Sequence, residues 1–401
     1  MPKRAEDLPF SCPICLKKLP YPHMETPNSQ SPAILQICLS SAQGGLEIST
    51  LKWAKFFHNR GYNSITLCLK NSYLEQELSK ASITHYTVNR PSYFSIPVVL
   101  KLVKIYRTHK PTAVCVHLLR DLWHTFWLKK IFPEVRVFGY ARMFLYGVNK
   151  KDFLHRLIYN QLSKLWVLTS LQIPTLLECL PIEREKIEVL PNGVDTKKFF
   201  PQKKTAEKII KLRKDLGANP DNFLIGIVAR ISFQKGYREF IHAVKILTPK
   251  YPHLRFLIVG DNAHGETMLS EINQFVKEHS LSRYIKRVAF RTDIPDIMSA
   301  LNLLVLPSYN EAFGNVLIEA MACETPVLGT SIGGIPEVLG NGKFGLLIKS
   351  ESGQALADGI EKVICDPEAT QIRVRTAQNQ IQTNLGFEAV MERAEKTLIS
   401  V

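Results

Sequence analysis

The stretch NLLVLPSYNEAFGNVLIEAMACETPV, residues 302–327, has the pattern of a strand, a loop, a helix and a second strand. Its first apolar run ends at a polar loop, a helix-length segment runs from about Asn315 to Cys323, and a second apolar run follows a turn. Short apolar runs that alternate with helices are typical of parallel strands covered on both faces. The stretch therefore predicts an α/β fold with doubly wound parallel sheets.

The same alternation of apolar runs and helix-length amphipathic segments extends over most of the chain. In the first half, strand-like runs occur at residues 33–40, 64–70, 112–118, 135–141, 165–170 and 187–193. In the second half, they occur at residues 223–230, 254–260, 285–290, 302–308 and 325–331. Two series of this kind predict two parallel sheets, one in each half of the chain.

A Pro/Gly turn and a charged segment at 190–208 separate the two series and are expected to form the linker. We therefore predict an N-terminal domain at 31–195 and a C-terminal domain at 196–384. Residues 1–30 are predicted to be an irregular leader. The last segment, 385–401, is an amphipathic helix able to pack on either domain, including back on the first.

The composition, 45% hydrophobic and 22% charged over 401 residues, is that of a soluble globular protein. No apolar run approaches the ~18 residues of a membrane span, and the start lacks the apolar stretch of a secretory signal. The expected compartment is the cytoplasm. Most of the eight cysteines lie in apolar runs, which is typical of buried free thiols. Cys12 and Cys15 form a single C-x-x-C, compatible with zinc or with no site.

Two carboxylates, Glu311 and Glu319, stand eight residues apart at the ends of an otherwise apolar segment. An unpaired buried carboxylate is costly, so the pair needs partners or a ligand. Gly314 allows a close backbone approach, and the helix after it would offer a phosphate the free N–H groups of Asn315, Val316 and Leu317. Glu319 could accept a ribose diol and Glu311 the hydroxyls of a sugar. Alternatively, Glu319 is simply favoured by the helix dipole.

The segment GIVARISFQKGYREF places Arg230 at a strand end and Lys235 five residues later. In open parallel sheets, ligands bind beyond the carboxyl ends of the strands. Two cations at that place would neutralise a diphosphate and the charge that develops on it, a task that Mg²⁺ often performs. A solvated pair of cations is the alternative when the segment is considered alone.

Two Gly-Gly pairs also follow predicted strands. Gly44 and Gly45, in LSSAQGGLEIST, come after the first strand, where a loop facing a donor or its phosphates is expected. Gly333 and Gly334, in SIGGIPEVL, come after the last strand of the second half. For this second pair, a tight turn without a ligand is an equal alternative.

Taken in order, a set of segments resembles family 4 of the retaining glycosyltransferases: SSAQGGLE, VLPNGVD, GIVARISFQKG, LIVGD, PSYNEAFGNVLIEAMACETPV and GGIPEVL with GKFGLLI. The resemblance covers residues 33–400 and is most specific in the second half. It implies a GT-B fold, in which two Rossmann-like domains face each other across a central cleft. It also implies transfer from a nucleotide diphosphate sugar with retention of the anomeric configuration.

The resemblance also implies roles for individual residues. Glu311 would contact the hydroxyls of the donor sugar, and Glu319 would bind the ribose. Arg230 and Lys235 would clamp the diphosphate, together with the N–H groups between the two glutamates. Such enzymes are thought to work without a protein nucleophile, a metal or another cofactor, because the leaving phosphate oxygen accepts the proton of the acceptor hydroxyl. Arg230, Lys235 and Glu311 are therefore the expected catalytic residues.

Two positions depart from the family pattern, and a third is ambiguous. Many relatives carry a histidine after the strand in VRVFGYARMF, where this chain has Arg142. That histidine usually contacts the reacting sugar. Arg142 is therefore expected on the acceptor side, but the role of the histidine is not assigned to it. Glu324 replaces the usual glycine before TPV. His117, in CVHLLRD, either faces the cleft on the acceptor side or is a satisfied histidine at a strand end.

Positive charge is concentrated in the first half of the chain. Residues 1–200 contain 27 Lys and Arg against 14 Asp and Glu, a net charge of +13, whereas residues 201–401 carry +2. The segment SIPVVLKLVKIYRTHK is amphipathic if it is helical, with a basic stripe of Lys101, Lys104 and Arg107. The segment LWHTFWLKKIF places Trp123, Phe126 and Trp127 beside Lys129 and Lys130. Such segments suit an anionic lipid surface. A solvated helix face over core aromatics is the alternative.

In the GT-B arrangement, the first domain meets the acceptor. We therefore expect an anionic glycan or lipid-linked acceptor, as in bacterial lipopolysaccharide or cell-surface polysaccharide synthesis, and attachment to the inner face of the cytoplasmic membrane. One alternative is a nucleotide-sugar epimerase of the same architecture, which would need its own acid and base residues. Another is a basic nucleic-acid-binding protein, but no recognition motif supports it, and no nucleic-acid partner is expected.

Overall fold

The computed structural model describes residues 31–89, 94–145, 149–263, 265 and 267–400. The predicted leader at 1–30, with Cys12 and Cys15, lies outside the described residues. Within them, the chain forms one sheet of seven strands and one of six, and neighbouring strands in both sheets run parallel. The α/β prediction with two doubly wound parallel sheets is therefore confirmed.

The first sheet has the order β3-β2-β1-β4-β5-β6-β7. Its strands are β1 Ala33–Cys38, β2 Asn63–Leu69, β3 His85–Val88, β4 Ala113–Val116, β5 Arg136–Ala141, β6 Leu162–Val167 and β7 Ile187–Val189. Its helices are α1 Gly45–Asn59, α2 Tyr73–Lys80, α3 Ile96–His109, α4 Leu122–Ile131, α5 Phe153–Asn160 and α6 Ile173–Cys179. The order reverses between β1 and β4, which makes their carboxyl ends the switch point of this sheet.

The second sheet has the order β10-β9-β8-β11-β12-β13. Its strands are β8 Phe223–Val228, β9 Leu254–Val259, β10 Ile285–Val288, β11 Leu303–Leu306, β12 Val327–Thr330 and β13 Leu346–Ile348. The remaining helices are α7 Glu207–Asp215, α8 Tyr237–Leu247, α9 Met268–Glu278, α10 Ile294–Ala300, α11 Asn315–Ala322, α12 Ile335–Val338, α13 Gly353–Cys365, α14 Pro367–Gln380 and α15 Phe387–Ile399. The switch point lies between β8 and β11.

The central strands are buried along their whole length, as all residues of β1 and of β11 show. Because neighbouring strand residues point to opposite faces, both faces of each sheet are covered. The edge strands β3 and β13 are only half-buried and are three or four residues long. They carry no continuous apolar run of the usual length, and the sequence did not predict them.

Polar side chains fix where several helices begin. The side chain of Ser72 accepts from the N–H of Glu75 at the start of α2, and that of Asp152 accepts from the N–H of His155 at the start of α5. Caps of this kind satisfy N–H groups that lack a partner inside the helix.

The last helix, α15, lies against the first domain. The segment before it runs beside the linker: Val194 donates its N–H to the carbonyl of Leu385 at 2.9 Å, and Phe387 donates to the carbonyl of Val194 at 2.8 Å. Arg60, at the end of α1, then forms ion pairs with two glutamates of α15 at 3.1 Å. The chain thus crosses between the domains twice, at two adjacent places. No helix among the described residues is long and apolar enough to cross a membrane.

Candidate active site

The carboxyl ends of β8 and β11 are neighbours in the second sheet, and the loops after them carry Lys235 and Glu311. Lys235 ends a short 3-10 turn, and Gly236 follows in the left-handed region with a φ of 70°. A Cβ at Gly236 would lie 1.9 Å from the backbone oxygen of Pro307. Only glycine therefore lets the two loops approach this closely.

Lys235 and Glu311 form an ion pair, with 2.6 Å between Nζ and Oε2. Their side chains are 26% and 18% exposed, so water screens the attraction only in part. The structure thus brings together two of the three residues expected to be catalytic, and each compensates the charge of the other. A bound polyanion would compete with Glu311 for Lys235 and would leave the carboxylate free to accept from hydroxyl groups.

Arg230 follows β8 and is exposed. Its position is held by the backbone, because Ile231 donates its N–H to the carbonyl of Asp261 at 2.8 Å. Gly260 makes this approach possible, since a Cβ there would lie 2.0 Å from the oxygen of Ala229. Among the described residues, no side chain or carbonyl pairs with the guanidinium of Arg230. It is therefore a cation on a fixed backbone that can turn to an anionic ligand.

Helix α11 begins at Gly314, whose φ of 86° again lies in the left-handed region. The N–H of Leu317 donates to the carbonyl of Gly314 at 2.9 Å, and the Leu317 side chain is fully buried. Leu317 therefore does not offer the free N–H expected from the sequence, because the first turn of the helix already uses it. Among the described residues, nothing accepts from the N–H groups of Asn315 and Val316, which stay available to an anion.

Glu319 lines a cavity of ≈ 160 Å³ between the domains. The walls come from α1, the linker, α11 and α15, through residues that include Gly45, Ser49, Lys52, Asn192, Phe199, Asn315, Phe387 and Met391. Burial raises the pKa of the Glu319 carboxyl to about 7, and the charges of Lys52 and Lys198 oppose this shift. A carboxylate facing such a space can accept from ligand hydroxyls.

The first glycine pair lies at the start of α1. Gly44 donates its N–H to Oε2 of Glu47 at 2.9 Å, and Glu47 is almost fully buried. Gly45 lines the same cavity as Glu319, and a Cβ at Gly45 would have no neighbour within 4 Å. The pair thus leaves open space in front of the helix start, across the cavity from Glu319.

The second glycine pair, Gly333 and Gly334, packs on the loop of Glu311. A Cβ at Gly333 would lie 2.1 Å from the backbone oxygen of Glu311, and one at Gly334 would lie 2.1 Å from that of Ala312. The N–H of Gly334 also donates to the carbonyl of Glu311 at 2.9 Å. The two glycines therefore allow their own backbone to pack closely on the backbone of the Glu311 loop. Through this contact they support the position of Glu311.

His117 is 2% exposed. Its Nε2 lies 3.1 Å from Oε1 of Gln36, its Nδ1 lies 3.3 Å from the guanidinium of Arg142, and its ring meets that of Trp53 edge-on. Burial and the charge of Arg142 hold the pKa of His117 well below its usual range, so the ring is neutral. In this arrangement, both ring nitrogens are occupied, and the histidine orients Arg142.

Arg142 connects His117 to the second domain. Its guanidinium donates to Oδ1 of Asn192 at 3.2 Å, and Asn192 donates to Oδ1 of Asn315 at 2.9 Å. The guanidinium also lies 3.9 Å from the ring centroid of Tyr140. Burial lowers the pKa of Arg142, and its Nε has no partner among the described residues. Arg142 therefore acts on the cleft through Asn192 and the start of α11.

Sequence reasoning missed three residues of this region. Lys52 carries no motif signal, and Asn192 lies in the VLPNGVD segment but has no role that the sequence alone indicates. Only the folded chain places them beside Glu319 and Asn315. Glu47 could have been found, since a glutamate three residues after a helix cap is a known start signal. Among the described residues, no group of three His, Cys, Asp or Glu side chains could hold a metal ion.

Two doubly wound domains around a cleft, with the paired Lys235 and Glu311 and a free helix start, define a GT-B type of glycosyltransferase. Residues 208–382 match the family model of the glycosyl transferases group 1, and residues 43–198 match that of glycosyltransferase family 4. The chain belongs to the family 4 glycosyltransferases, which confirms the resemblance found in the sequence.

Among curated relatives, the D-inositol 3-phosphate glycosyltransferase of Corynebacterium jeikeium is 29% identical over 63% of this chain and 61% of its own length. The capsular polysaccharide biosynthesis glycosyltransferase CapM of Staphylococcus aureus is 30% identical over 53% of this chain and 55% of its own length. The chain thus spans about three-fifths or less of these relatives.

Solved structures show the same fold over nearly the whole chain. A glycosyltransferase from Rickettsia africae has a TM-score of 0.84 at 20% identity and covers 92% of this chain and 99% of its own. HepE of Anabaena, solved with UDP, has a TM-score of 0.81 at 23% identity and covers 92% of this chain and 100% of its own. At these identities, the likeness concerns the fold.

Proposed function

We propose that the protein is a retaining glycosyltransferase that transfers a sugar from a nucleotide diphosphate sugar to a glycan or lipid-linked acceptor. The observation that carries the proposal is the Lys235–Glu311 ion pair in the loops after β8 and β11, which also carry Arg230 and lead into α11. Cations and free N–H groups suit a diphosphate, whereas carboxylates suit the hydroxyls of a ribose and a sugar.

In the proposed reaction, the bond between the anomeric carbon and the diphosphate oxygen breaks, and the acceptor oxygen bonds to the same carbon on the same face. The proton of the acceptor hydroxyl passes to the leaving phosphate oxygen. Arg230, Lys235 and the N–H groups at the start of α11 stabilise the negative charge that develops there. In this proposal, these groups do the work of a metal ion, and no metal or other cofactor is required.

Lys235 has a specific part in this scheme. Before the donor binds, its ammonium is held by Glu311 at 2.6 Å. When the diphosphate takes over Lys235, the Glu311 carboxylate becomes free to accept hydrogen bonds from the donor sugar. Binding of the diphosphate and recognition of the sugar are thereby linked through one exchange of partners.

The first domain carries an apolar surface with basic residues beside it. Helices α3, α4 and α5 are neighbours, and their exposed apolar side chains include Ile96, Leu100, Trp127, Ile131, Phe153 and Leu154. The ring centroids of Phe94 and Trp127 are 6.2 Å apart, so the surface continues from the start of α3 to α4. Lys104 and Lys130 are exposed on these helices. Exposed apolar side chains next to cations suit an anionic membrane.

One residue of the expected basic set faces elsewhere. The ammonium of Lys129 donates to the carbonyls of Pro133 at 2.6 Å and Val135 at 2.5 Å, and burial lowers its pKa. Lys129 therefore stabilises the chain after α4 and does not belong to the surface. On the basis of the remaining cations, we propose that the protein attaches peripherally to the inner face of the cytoplasmic membrane. We also propose that its acceptor is anionic, as in lipopolysaccharide or cell-surface polysaccharide synthesis.

The test is a transfer assay with UDP-, GDP- and ADP-sugars, with and without glycan acceptors, in which NMR reports the configuration of the product. A uridine donor comes first because Anabaena HepE was solved with UDP and UDP-glucose. We expect acceptor-dependent release of the nucleoside diphosphate and a retained anomeric configuration. An inverted product would overturn the mechanism. Epimerisation of the donor without an acceptor, or binding to nucleic acid alone, would overturn the proposed function.

A further inference from the structure

A carboxylate of the second domain binds the backbone of the first. Glu337, in α12, accepts from the N–H of Ser170 at 2.7 Å and from its hydroxyl at 2.6 Å, both at Oε2. The N–H of Leu171 lies 3.4 Å from the same oxygen. Ser170 and Leu171 begin the turn that follows β6, so this contact, here called the interdomain clasp, joins the two halves of the chain.

The same short segment also touches the loop of Glu311. Gly334, three residues before Glu337, donates its N–H to the carbonyl of Glu311 at 2.9 Å. A Cβ at Gly334 would lie 3.0 Å from Cγ2 of Thr169, the residue before Ser170. The start of α12 is therefore packed between the first domain and the loop whose carboxylate holds Lys235.

The chemistry of the clasp suits a contact that forms and breaks. The N–H groups at a helix start have no partner within the helix, and a carboxylate gives them charge-assisted bonds. Ser170 and Leu171 are exposed, so water can hydrate their N–H groups when the domains separate. A buried apolar contact at this place would instead hold the domains together.

We propose that Glu337 is a positioning residue that couples closure of the cleft to the geometry of Glu311 and Lys235. In the closed arrangement, the clasp fixes α12 against the first domain, and α12 in turn fixes the carbonyl of Glu311. When the domains open, the clasp breaks and this support of the Glu311 loop is lost. The inference rests on the proposed function, because it concerns the step in which donor and acceptor meet.

The experiment compares Glu337→Gln and Glu337→Ala with Glu361→Gln as a matched control. Glu361 also binds a hydroxyl, that of Tyr251 at 2.6 Å, but within the second domain. We expect both Glu337 variants to exchange the amide hydrogens of Ser170 and Leu171 faster than wild type. We also expect kcat to fall ~10-fold or more in the alanine variant and less in the glutamine variant, since one charge-assisted hydrogen bond is worth about that factor.

The affinity for the nucleoside diphosphate should change much less than kcat, because Arg230 and the start of α11 lie in the second domain and do not depend on the clasp. Ser170→Ala removes one bond of the clasp, and its effect on kcat should largely disappear in the Glu337→Ala background. Unchanged exchange at Ser170 in the variants, or a kcat equal to that of Glu361→Gln, would overturn the inference. If the wild type transfers no sugar, the proposed function is refuted. The hydrogen-exchange experiment needs no turnover, so it still shows whether Glu337 holds the N–H groups of Ser170 and Leu171.

Discussion

Replacing Glu319 by glutamine tests the nucleoside part of the site most directly. Glu319 faces the cavity between α1 and α11, and its carboxylate would accept from both hydroxyls of a ribose. The glutamine amide keeps the shape but has one oxygen and no charge. Losing a hydrogen bond to a charged acceptor costs ~1.5–3 kcal/mol. We therefore expect the dissociation constant of the nucleoside diphosphate to rise ~10- to 150-fold in Glu319→Gln.

The raised pKa adds a pH dependence to this prediction. Because burial raises the pKa of Glu319 to about 7, only about one tenth of the carboxyl groups are ionised at pH 6 and about nine tenths at pH 8. Nucleotide affinity of the wild type should therefore increase several-fold from pH 6 to pH 8, with release of a proton near pH 7. In Glu319→Gln, this pH dependence should be absent.

The raised pKa of Glu319 also predicts how the variant changes the stability of the folded protein. Loss of a contact would make Glu319→Gln less stable than the wild type, but the pKa shift predicts that it is more stable. The folded protein binds the Glu319 proton more tightly than the unfolded chain, so its free energy of unfolding falls as the pH rises from 4.5 to about 7. The fall is on the order of 3 kcal/mol and persists above pH 7. Without ligand, Glu319→Gln should therefore melt above the wild type at pH 8.

Isothermal titration in two buffers of different ionisation enthalpy measures the affinity and the released proton together, and thermal melts measure the stability. Glu324→Gln is the matched control, because Glu324 is exposed just after the same helix. An unchanged nucleotide affinity in folded Glu319→Gln, with a flat pH profile in the wild type, would refute the assignment of Glu319 to the ribose.

Three further predictions concern other parts of the molecule. Arg230→Ala and Lys235→Ala should each lower kcat ~10²- to 10³-fold with little change in melting temperature, and transfer should continue in EDTA; a complete loss in EDTA that Mg²⁺ reverses would contradict the metal-free proposal. Charge reversal at Lys104 and Lys130 should release the protein from anionic vesicles at low salt without changing nucleotide affinity, since each cation is worth ~1 kcal/mol there; a wild type that ignores such vesicles would contradict the membrane proposal. Gly334→Ala should lower the free energy of unfolding by ~1–3 kcal/mol in denaturant melts, because its Cβ would meet a backbone oxygen at 2.1 Å; an equally stable variant would show that the neighbouring loop can move away.

The central strands were predictable because they are continuous apolar runs. For β11, burial on both faces demands apolar residues at every position, and the sequence shows it. β1 is apolar except for one buried polar residue, Gln36, which pairs with His117. The edge strands escape this logic, since His85–Val88 and Leu346–Ile348 are half-buried and short. They are strands because they pair with β2 and β12, and this pairing leaves no pattern in their own sequence.

The candidate site was predictable where one segment carries several of its groups. The segment with Glu311, Gly314 and Glu319 shows its chemistry in its own spacing. Contacts between distant segments were not predictable, such as the bond between Glu337 and Ser170, because each partner alone resembles an ordinary surface residue. The direction in which a side chain points could not be predicted from the sequence either. Lys129 looks like a surface cation in the sequence, but nearby carbonyls draw it inward.

The return of α15 to the first domain has a consequence for the order in which the protein can fold during synthesis. The ring of Phe56, in α1, packs edge-on against that of Phe387, with 6.0 Å between centroids. Several hundred residues are made between these two partners, including the whole second domain. The first domain can therefore be completed only after α15 has left the ribosome. Domains emerging first usually fold first, but here the domain begun first is the last to be finished.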